Sequence, residues 1–593
     1  MVSTRTRFTY SRMLLSLRRL IRNDHLILVV LSLVAGCVAG GAVVLFREAI
    51  SSIQLGFYGS DSERLFADAA KLAWWQILLM PAVGGLLVGG IVRFALPGRR
   101  PQGVADVIEA SALRGGWMSS RVGLAAAAVS AISIGAGASV GREGPAVHLG
   151  ASLSGWLGRR LHLTRAQTRT LLGCGVAAAV AASFNAPIAG ALFASEVVIG
   201  HYALKAFAPI VIASVAGTAI SRAWFGDFPA FALSEIPLAS FWEFPAFVGL
   251  GLTAGAVAIL FMHAIVLAQR TAEKTPLPPW LRPAVAGLGV GMIALVFPQV
   301  LGVGYGATEQ ALLVEYSLWL IIAIGVAKIA ATALSIGWGF GGGVFSPSLV
   351  IGAMMGGAYG IIATAAFPEL SSGPAAYTLV GMGAMAAAVL GAPLSTTLII
   401  FEMTGDYALT LAVMVAVVIA SEITQQFYGR SFFSVQLKQR GISLKDGFEA
   451  EIMHAITISQ VLVRDAELVS RDVGLPDLRT MLQNSKTGEI FVVRDTGELY
   501  GTITLADLSE AAFDPAIDDL IRAGDVARTQ PPVLSETDDL EAALALMSET
   551  GEDRIAIVDN PESMMFKGCL QIADVMAAYN RALLKSRHEE RGD

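Results

Sequence analysis

Charge is scarce in this chain: only 15% of its 593 residues are Asp, Glu, Lys or Arg, too few to wet the surface of a soluble protein of this length. Cysteine is scarcer still. Its three cysteines, Cys37, Cys174 and Cys569, two of them inside apolar runs, give no disulfide framework and no metal-ligand spacing. No His-Glu-x-x-His, no P-loop and no Gly-x-Ser-x-Gly in a plausible setting is present, so no catalytic or metal site is expected and the protein reads as a non-enzyme. The apolar region also lacks the clustered Asp and Glu that hard cations need, which counts against a divalent-metal transporter, the competing reading from another class. The net charge of −6 averages unlike regions, and no nucleic-acid partner is expected.

What the chain has in quantity is hydrophobic surface: 54% hydrophobic residues, 62 glycines and a mean hydropathy of +0.62. This is the composition of a polytopic membrane protein whose helices pack closely through small residues. Uncharged runs long enough to cross a bilayer include 26–46, 171–195, 244–269, 329–368 and 371–401. The last three exceed one simple span or carry internal Gly and Pro, which predicts tilted, paired or broken helices. Arg5, Arg7, Arg12, Arg18, Arg19 and Arg22 precede the first span and predict a cytoplasmic N-terminus, with a retained first helix and no signal peptide.

The chain is organised around Gly141-Arg142-Glu143-Gly144-Pro145, a charged break between stretches that otherwise read as membrane helix. An ionisable residue at that depth is costly and marks function by default. Gly141 and Gly144 leave the backbone uncovered, and Pro145 suits the first position of a new helix. A helix that begins inside a membrane points free N–H groups and the positive end of its dipole inward, where they attract anions. Glu143 is the nearest tethered carboxylate, so the pattern predicts a gate: Glu143 occupies the anion position until it is protonated or displaced. A surface loop with hydrated charges is the bland alternative. His148, about one turn further along, reads either as hydrogen-bonded packing or as a group modulating the response to pH. Arg142 is expected to serve an outer mouth or to bind a helix C-terminus.

A weak internal repeat follows. Phe184-Asn185-Ala186-Pro187 is echoed by Leu390-Gly391-Ala392-Pro393, an offset of 393 − 187 = 206, and each proline is followed nine residues later by a glutamate, Glu196 and Glu402. The break at Gly141–Pro145 is echoed by Gly341-Gly342-Gly343-Val344-Phe345-Ser346-Pro347, an offset of 347 − 145 = 202. Paired helix interruptions in two halves point to a midplane binding site, so the two breaks should face each other. Glu196 and Glu402 are expected to cap or pair at helix ends. Beyond 451 the sequence turns into a soluble α/β pattern, with a hairpin around Asp495-Thr496-Gly497. Gly501-x-x-Thr504-x-x-Asp507 recurs 67 residues later as Gly568-x-x-Gln571-x-x-Asp574, which makes the tail two copies of one small domain.

Together these features resemble the CLC family of chloride channels and proton-coupled chloride exchangers, with a C-terminal pair of CBS domains. The resemblance implies a mainly α polytopic membrane protein, an inverted-repeat CLC fold with broken helices, followed by a soluble α/β tandem CBS pair. The expected divisions are a cytoplasmic N-terminal helix over 1–24, a transmembrane anion-conducting domain over 25–440, a linker over 441–451, a first CBS domain over 452–512, and a second with the C-terminal tail over 513–593. It implies a homodimer in the lipid of an inner or plasma membrane, with the N-terminus and CBS domains cytoplasmic, voltage- or pH-gated, and passing chloride with or without protons.

The same resemblance implies an anion site formed by the Glu143 segment, Arg142 and Gly144 included, and by backbone N–H groups at Gly343, Val344 and Phe345. Chloride is the transported ligand and no cofactor is required. Three positions depart from the family pattern. Gln102, beside Gly103, stands where the family has an anion-binding serine, and its amide either donates to the anion or points away. Phe433 stands where the family has a tyrosine. Val197 takes the place of the inward-facing proton glutamate of the exchangers and cannot titrate, which favours a passive channel over a proton-coupled antiporter. In the CBS pair, Thr504, Asp507 and Asp574 match positions that hold the phosphate and ribose of adenine nucleotides; a purely structural dimerisation role competes.

Overall fold

A computed structural model of the chain describes residues 24–60, 65–66, 72–200, 204–227, 238–442, 453, 456–464, 466–485, 487–504, 506–508, 518, 520–560 and 562–591. The helix expected over 1–24 lies outside them apart from Asp24, as does the linker over 441–451 apart from Gly441 and Ile442. The chain divides into two units, Met1–Leu444 and Lys445–Asp593.

The first unit is helical. Its first half runs α1 (Asp24–Tyr58), α2 (Trp74–Ala95), α3 (Val104–Leu113), α4 (Ser120–Gly135), α5 (Glu143–Arg160), α6 (Arg165–Phe184), α7 (Pro187–Phe193) and α8 (Leu204–Phe225). The second half runs α9 (Phe244–Lys274), α10 (Arg282–Val296), α11 (Tyr305–Leu312), α12 (Leu318–Gly337), α13 (Phe345–Ala366), α14 (Pro374–Leu390), α15 (Pro393–Thr404), α16 (Tyr407–Phe427) and α17 (Phe432–Gln439). Among the described residues, seven helical stretches are long and apolar enough to cross a membrane. Three of the uncharged runs are broken helix pairs: 171–195 bends at Asn185, 329–368 between α12 and α13, and 371–401 at Gly391.

Each break has a local cause. Asn185 and Gly391, at equivalent places in the two halves, both take the left-handed conformation, with φ of 60° and 66°. Asn and Gly are the residues that tolerate it, and the Ala-Pro after each starts the next helix. Between breaks, small residues let backbones touch. A methyl group on Gly352 would lie 2.5 Å from the carbonyl oxygen of Gly381, and one on Gly381 would lie 2.6 Å from that of Gly352, so α13 and α14 approach as closely as peptide groups allow.

The halves hold each other reciprocally. Ser133 of α4 accepts at Oγ from the N–H of Gly341 in the second half (3.1 Å), while Ser335 of α12 accepts from the N–H of Ser139 in the first (3.1 Å). Both partners are shifted by one offset, 335 − 133 = 341 − 139 = 202. The two glutamates follow suit. Glu402 accepts from the N–H groups of Ile188 and Ala189 at 3.0 and 2.7 Å, and Glu196 accepts from those of Leu394 and Ser395 at 3.0 and 2.8 Å. Each carboxylate caps the start of the Ala-Pro helix in the opposite half, the helix-end role expected of them.

The second unit holds two similar motifs. In the first, β1 (Leu468–Ser470), α18 (Leu475–Asn484), β2 (Glu489–Val493) and β3 (Leu499–Thr504) lead through α19 (Ala523–Val526) to β4 (Arg528–Thr529), in sheet order β1-β2-β3-β4. In the second, β5 (Val533–Ser535), α20 (Leu540–Thr550), β6 (Arg554–Val558) and β7 (Phe566–Gln571) form a sheet in order β5-β6-β7, ahead of α21 (Ile572–Arg591). In both motifs the first pair is parallel and the second antiparallel, with a register shift at Val492/Val493 and at Ile557/Val558. Apolar strand residues such as Ile490, Val492, Ile555 and Ile557 are fully buried, which ties each sheet to its helices.

Candidate functional site

The two glycine-rich breaks meet. Gly141 and Gly343 form an isolated antiparallel bridge, N–H to carbonyl in both directions at 2.7 and 2.8 Å. Glycine at both places is a matter of space: a methyl on Gly343 would lie 3.0 Å from the amide nitrogen of Gly144, and one on Gly141 3.0 Å from the carbonyl oxygen of Gly343. From this bridge α5 and α13 start, one from each half, so two positive helix ends lie side by side.

Glu143 is the first residue of α5 and is 1% exposed. Its Oε1 accepts from the Tyr305 hydroxyl at 2.6 Å, and its Oε2 accepts from the Ser346 hydroxyl. The carboxylate thus rests on two hydroxyls rather than on the bare amides expected of it. Tyr305 opens α11 behind Gly304, whose φ is 94°. Neither Tyr305 nor Ser346 is anticipated from the sequence, although Ser346 lies inside the second break and Tyr305 sits in an uncharged Gly-Val-Gly-Tyr-Gly loop, signals of a hydroxyl placed among apolar neighbours. Arg142 is buried, its Nε 3.8 Å from Glu143 Oε1 and its guanidinium 4.8 Å from the centre of the Tyr305 ring. It therefore does not stand free at a mouth; with Arg47 and Tyr305 it lines a separate cavity of about 20 Å³.

Glu143 also lines a cavity of about 490 Å³, as do Gln102, Gly103, Gly144, Gly343, Val344, Phe345 and Phe433. Seven of the residues singled out in the sequence thus line one cavity with Glu143. The Gly343 amide is spent on Gly141, which corrects its assignment as an anion donor, while Val344 and Phe345 lie at the start of α13, where helix geometry leaves N–H groups without acceptors. The Phe345 ring packs on Phe184 and Phe193 with centroids 4.8 and 6.2 Å away. Gln102 lines the cavity but directs its amide nitrogen at the carbonyls of Pro97 and Arg100, 3.4 and 3.5 Å away, so its N–H groups are engaged by backbone. Five arginines (Arg93, Arg99, Arg100, Arg282, Arg440) and three carboxylates (Asp106, Glu143, Glu273) line the cavity, which leaves it a positive balance that concentrates anions. Asp106 organises that wall: it accepts from the Gly103 N–H at 2.8 Å, from Arg100 at 2.6 Å and from Arg440 at 3.1 Å.

Val197 and His148 are not part of this wall. Val197 is half-buried against the core within the π-helical turn Ala194–Ile199. His148 is 1% exposed, and among the described residues neither ring nitrogen has a hydrogen-bond partner, contrary to the packing expectation. In the second unit, Thr504 gives both its N–H and its hydroxyl to Asp507 Oδ2 at 2.7 Å, and Arg528 Nε lies 3.2 Å from the same oxygen. Asp574 lies in the first turn of α21.

A helical membrane unit in two reciprocally bonded halves, with an acid between facing helix starts, is an ion-permeation architecture. The chain belongs to the CLC family: the family model for voltage gated chloride channels matches residues 84–425, and the CBS domain model matches 458–514 and 523–580. It is 39% identical over 64% of its length to a protein of Ralstonia nicotianae named as a ClcB-like chloride channel, 90% of which is covered. It is 32% identical over 68% of its length to the voltage-gated ClC-type chloride channel ClcB of Escherichia coli, 96% of which is covered. The chloride channel protein CLC-f of Arabidopsis thaliana is 29% identical over 81% of this chain and 69% of its own. Among solved structures, a slow cyanobacterial Cl−/H+ antiporter aligns with a TM-score of 0.63 at 23% identity, over 70% of this chain and 97% of that one. A eukaryotic CLC transporter aligns over 92% of this chain and 97% of its own, with a TM-score of 0.58 at 19% identity.

Proposed function

We propose that this protein lets chloride cross a membrane passively through the passage ending at Glu143, and that protonation or displacement of Glu143 opens it. The observation that carries this reading is the placement of one buried carboxylate where α5 and α13 begin together, in the lining of an arginine-rich cavity. While ionised, the carboxylate accepts two hydroxyl hydrogen bonds and competes with an anion for the positive helix ends; once neutral, it loses that advantage. Gly144, Val344 and Phe345 are the backbone positions proposed to bind the anion, with Phe433 and Gly103 shaping the wall. Passive flow is favoured over proton-coupled exchange because Val197 cannot carry a proton. The protein works as a homodimer in the inner or plasma membrane, with its N-terminus and CBS pair cytoplasmic, and Thr504, Asp507 and Asp574 border an adenine-nucleotide site on that pair. The domain limits proposed are those drawn from the sequence.

The deciding experiment is chloride flux from proteoliposomes with and without a proton gradient. Flux that rises on acidification, loses its pH dependence in Glu143→Gln and moves no protons supports the reading. Uphill proton movement driven by chloride overturns the passive assignment in favour of exchange.

A further inference from the structure

Lys328 lies in the middle of α12 and is 0% exposed. A buried ammonium in a membrane helix is normally matched by a carboxylate, because desolvating it alone is costly. Among the described residues Lys328 has no such partner. Its Nζ instead donates to the carbonyls of Val300 and Gly302, at 3.0 and 2.9 Å. Those carbonyls belong to the loop that ends at Tyr305. A methyl group on Gly304 would lie 3.2 Å from the same Nζ, so the backbone one residue before Tyr305 runs directly against the ammonium.

The neighbouring polar residues of α12 serve the other side of the gate. Thr332 and Ser335 fall at i+4 and i+7 from Lys328, on the same face, and both are 0% exposed. Thr332 Oγ1 is 3.0 Å from Ser139 Oγ, and Ser335 Oγ accepts the Ser139 N–H at 3.1 Å, two residues before Gly141. The Gly302 N–H donates to the Gly137 carbonyl at 3.2 Å and joins the two loops. One buried face of α12 therefore fixes both the segment carrying Glu143 and the segment carrying the hydroxyl that holds it.

We propose that Lys328 is a positioning residue for the gate: by pinning the 300–304 loop it sets how the Tyr305 hydroxyl meets Glu143, and thereby the pH at which the passage opens. The proposal rests on the reading of Glu143 as the gate. The groups facing the Glu143 carboxylate are Tyr305 from α11, Ser346 from α13 and Arg142 from its own segment. Tyr305 donates to the ionised carboxylate, so weakening that bond favours the protonated form and moves opening to higher pH.

The test is the pH profile of chloride efflux from proteoliposomes containing the full chain. Tyr305→Phe is expected to raise the midpoint by about one pH unit, the worth of one hydrogen bond to a charged group. Lys328→Met should move it the same way by a smaller amount, and in the Tyr305→Phe background it should add nothing. Lys328→Gln, which keeps an N–H donor on a shorter stem, should fall between wild type and Lys328→Met; it carries the test if the methionine variant does not fold. A wild-type midpoint in Lys328→Met or Lys328→Gln, or a Lys328 shift that adds in full to that of Tyr305→Phe, overturns the proposal. Glu143→Gln separates the two failures. If its flux still titrates, the gate reading is wrong; if it is flat while the Lys328 variants are unmoved, only the role of Lys328 is wrong.

Discussion

Tyr305 and Glu143 stand 162 positions apart in the chain and 2.6 Å apart in space, hydroxyl to carboxylate. The bond joins a residue of the second half to the acid of the first, so what holds Glu143 depends on how the halves pack. Ser346, also from the second half, holds the other oxygen. Replacing both, in Tyr305→Phe/Ser346→Ala, removes both of these hydroxyl donors to the carboxylate. Opening should then shift to higher pH by more than either single change, up to about two units. Efflux measured across a pH series checks this, and a midpoint that moves to lower pH would contradict it.

The bridge between Gly141 and Gly343 has no room for a side chain. Gly343→Ala would press a methyl to 3.0 Å from backbone nitrogen of Gly144, where nothing flexible can yield. We expect a loss of about 1–3 kcal/mol of stability and of chloride flux, because the two helix starts must separate. Gly90→Ala, with nothing within 4 Å of the added methyl, is the matched control and should behave as wild type. Heat inactivation in detergent together with flux distinguishes the two.

Glu196 and Glu402 perform the same task in opposite halves, so their removal should cost similar amounts. Glu196→Ala and Glu402→Ala are each expected to lose about 1–2 kcal/mol, the cost of an N-terminal cap with charge. Chloride flux per folded molecule should persist in both. Thermal melts read this out, and a large drop in one variant with none in the other would contradict the reciprocal arrangement.

In the second unit, burial pushes the Glu489 carboxyl up from 4.5 to about 7, against the opposing pull of Arg554. The folded state therefore prefers the protonated acid. Its contribution to stability is fully present below the ordinary carboxyl value and is lost as the pH rises through about 7. Amide hydrogen exchange in β2 and β3 of the full chain, corrected for intrinsic rates, should show weaker protection as the pH is raised from about 5 to about 8. Glu489→Gln should flatten that dependence.

Much of this was legible from residue types alone. Gly141–Pro145 and Gly341–Pro347 announced two breaks because charge, glycine and proline are out of place in apolar helices, and the near-equal offsets implied that they meet. The left-handed turns at Asn185 and Gly391 follow from the two residue types that tolerate them. Glu196 and Glu402 read as helix caps, yet which helix each one caps depends on the packing of the halves. The same holds for Tyr305, Ser346 and Lys328: a hydroxyl or an ammonium shows its chemistry in the sequence, but a partner 162, 203 or 26–28 residues away is chosen by tertiary register. Gln102 and Gly343 illustrate the converse. Their positions in the wall were anticipated, while the carbonyls that engage their N–H groups were not.

The crosswise bonds between halves carry a consequence for biosynthesis. When synthesis has delivered only the first half, the N–H groups of Ile188 and Ala189 still await Glu402, that of Ser139 awaits Ser335, and both peptide groups of Gly141 await Gly343. The leading half is thus an unfinished object within the lipid, and these segments can settle only after the ribosome has passed residue 402.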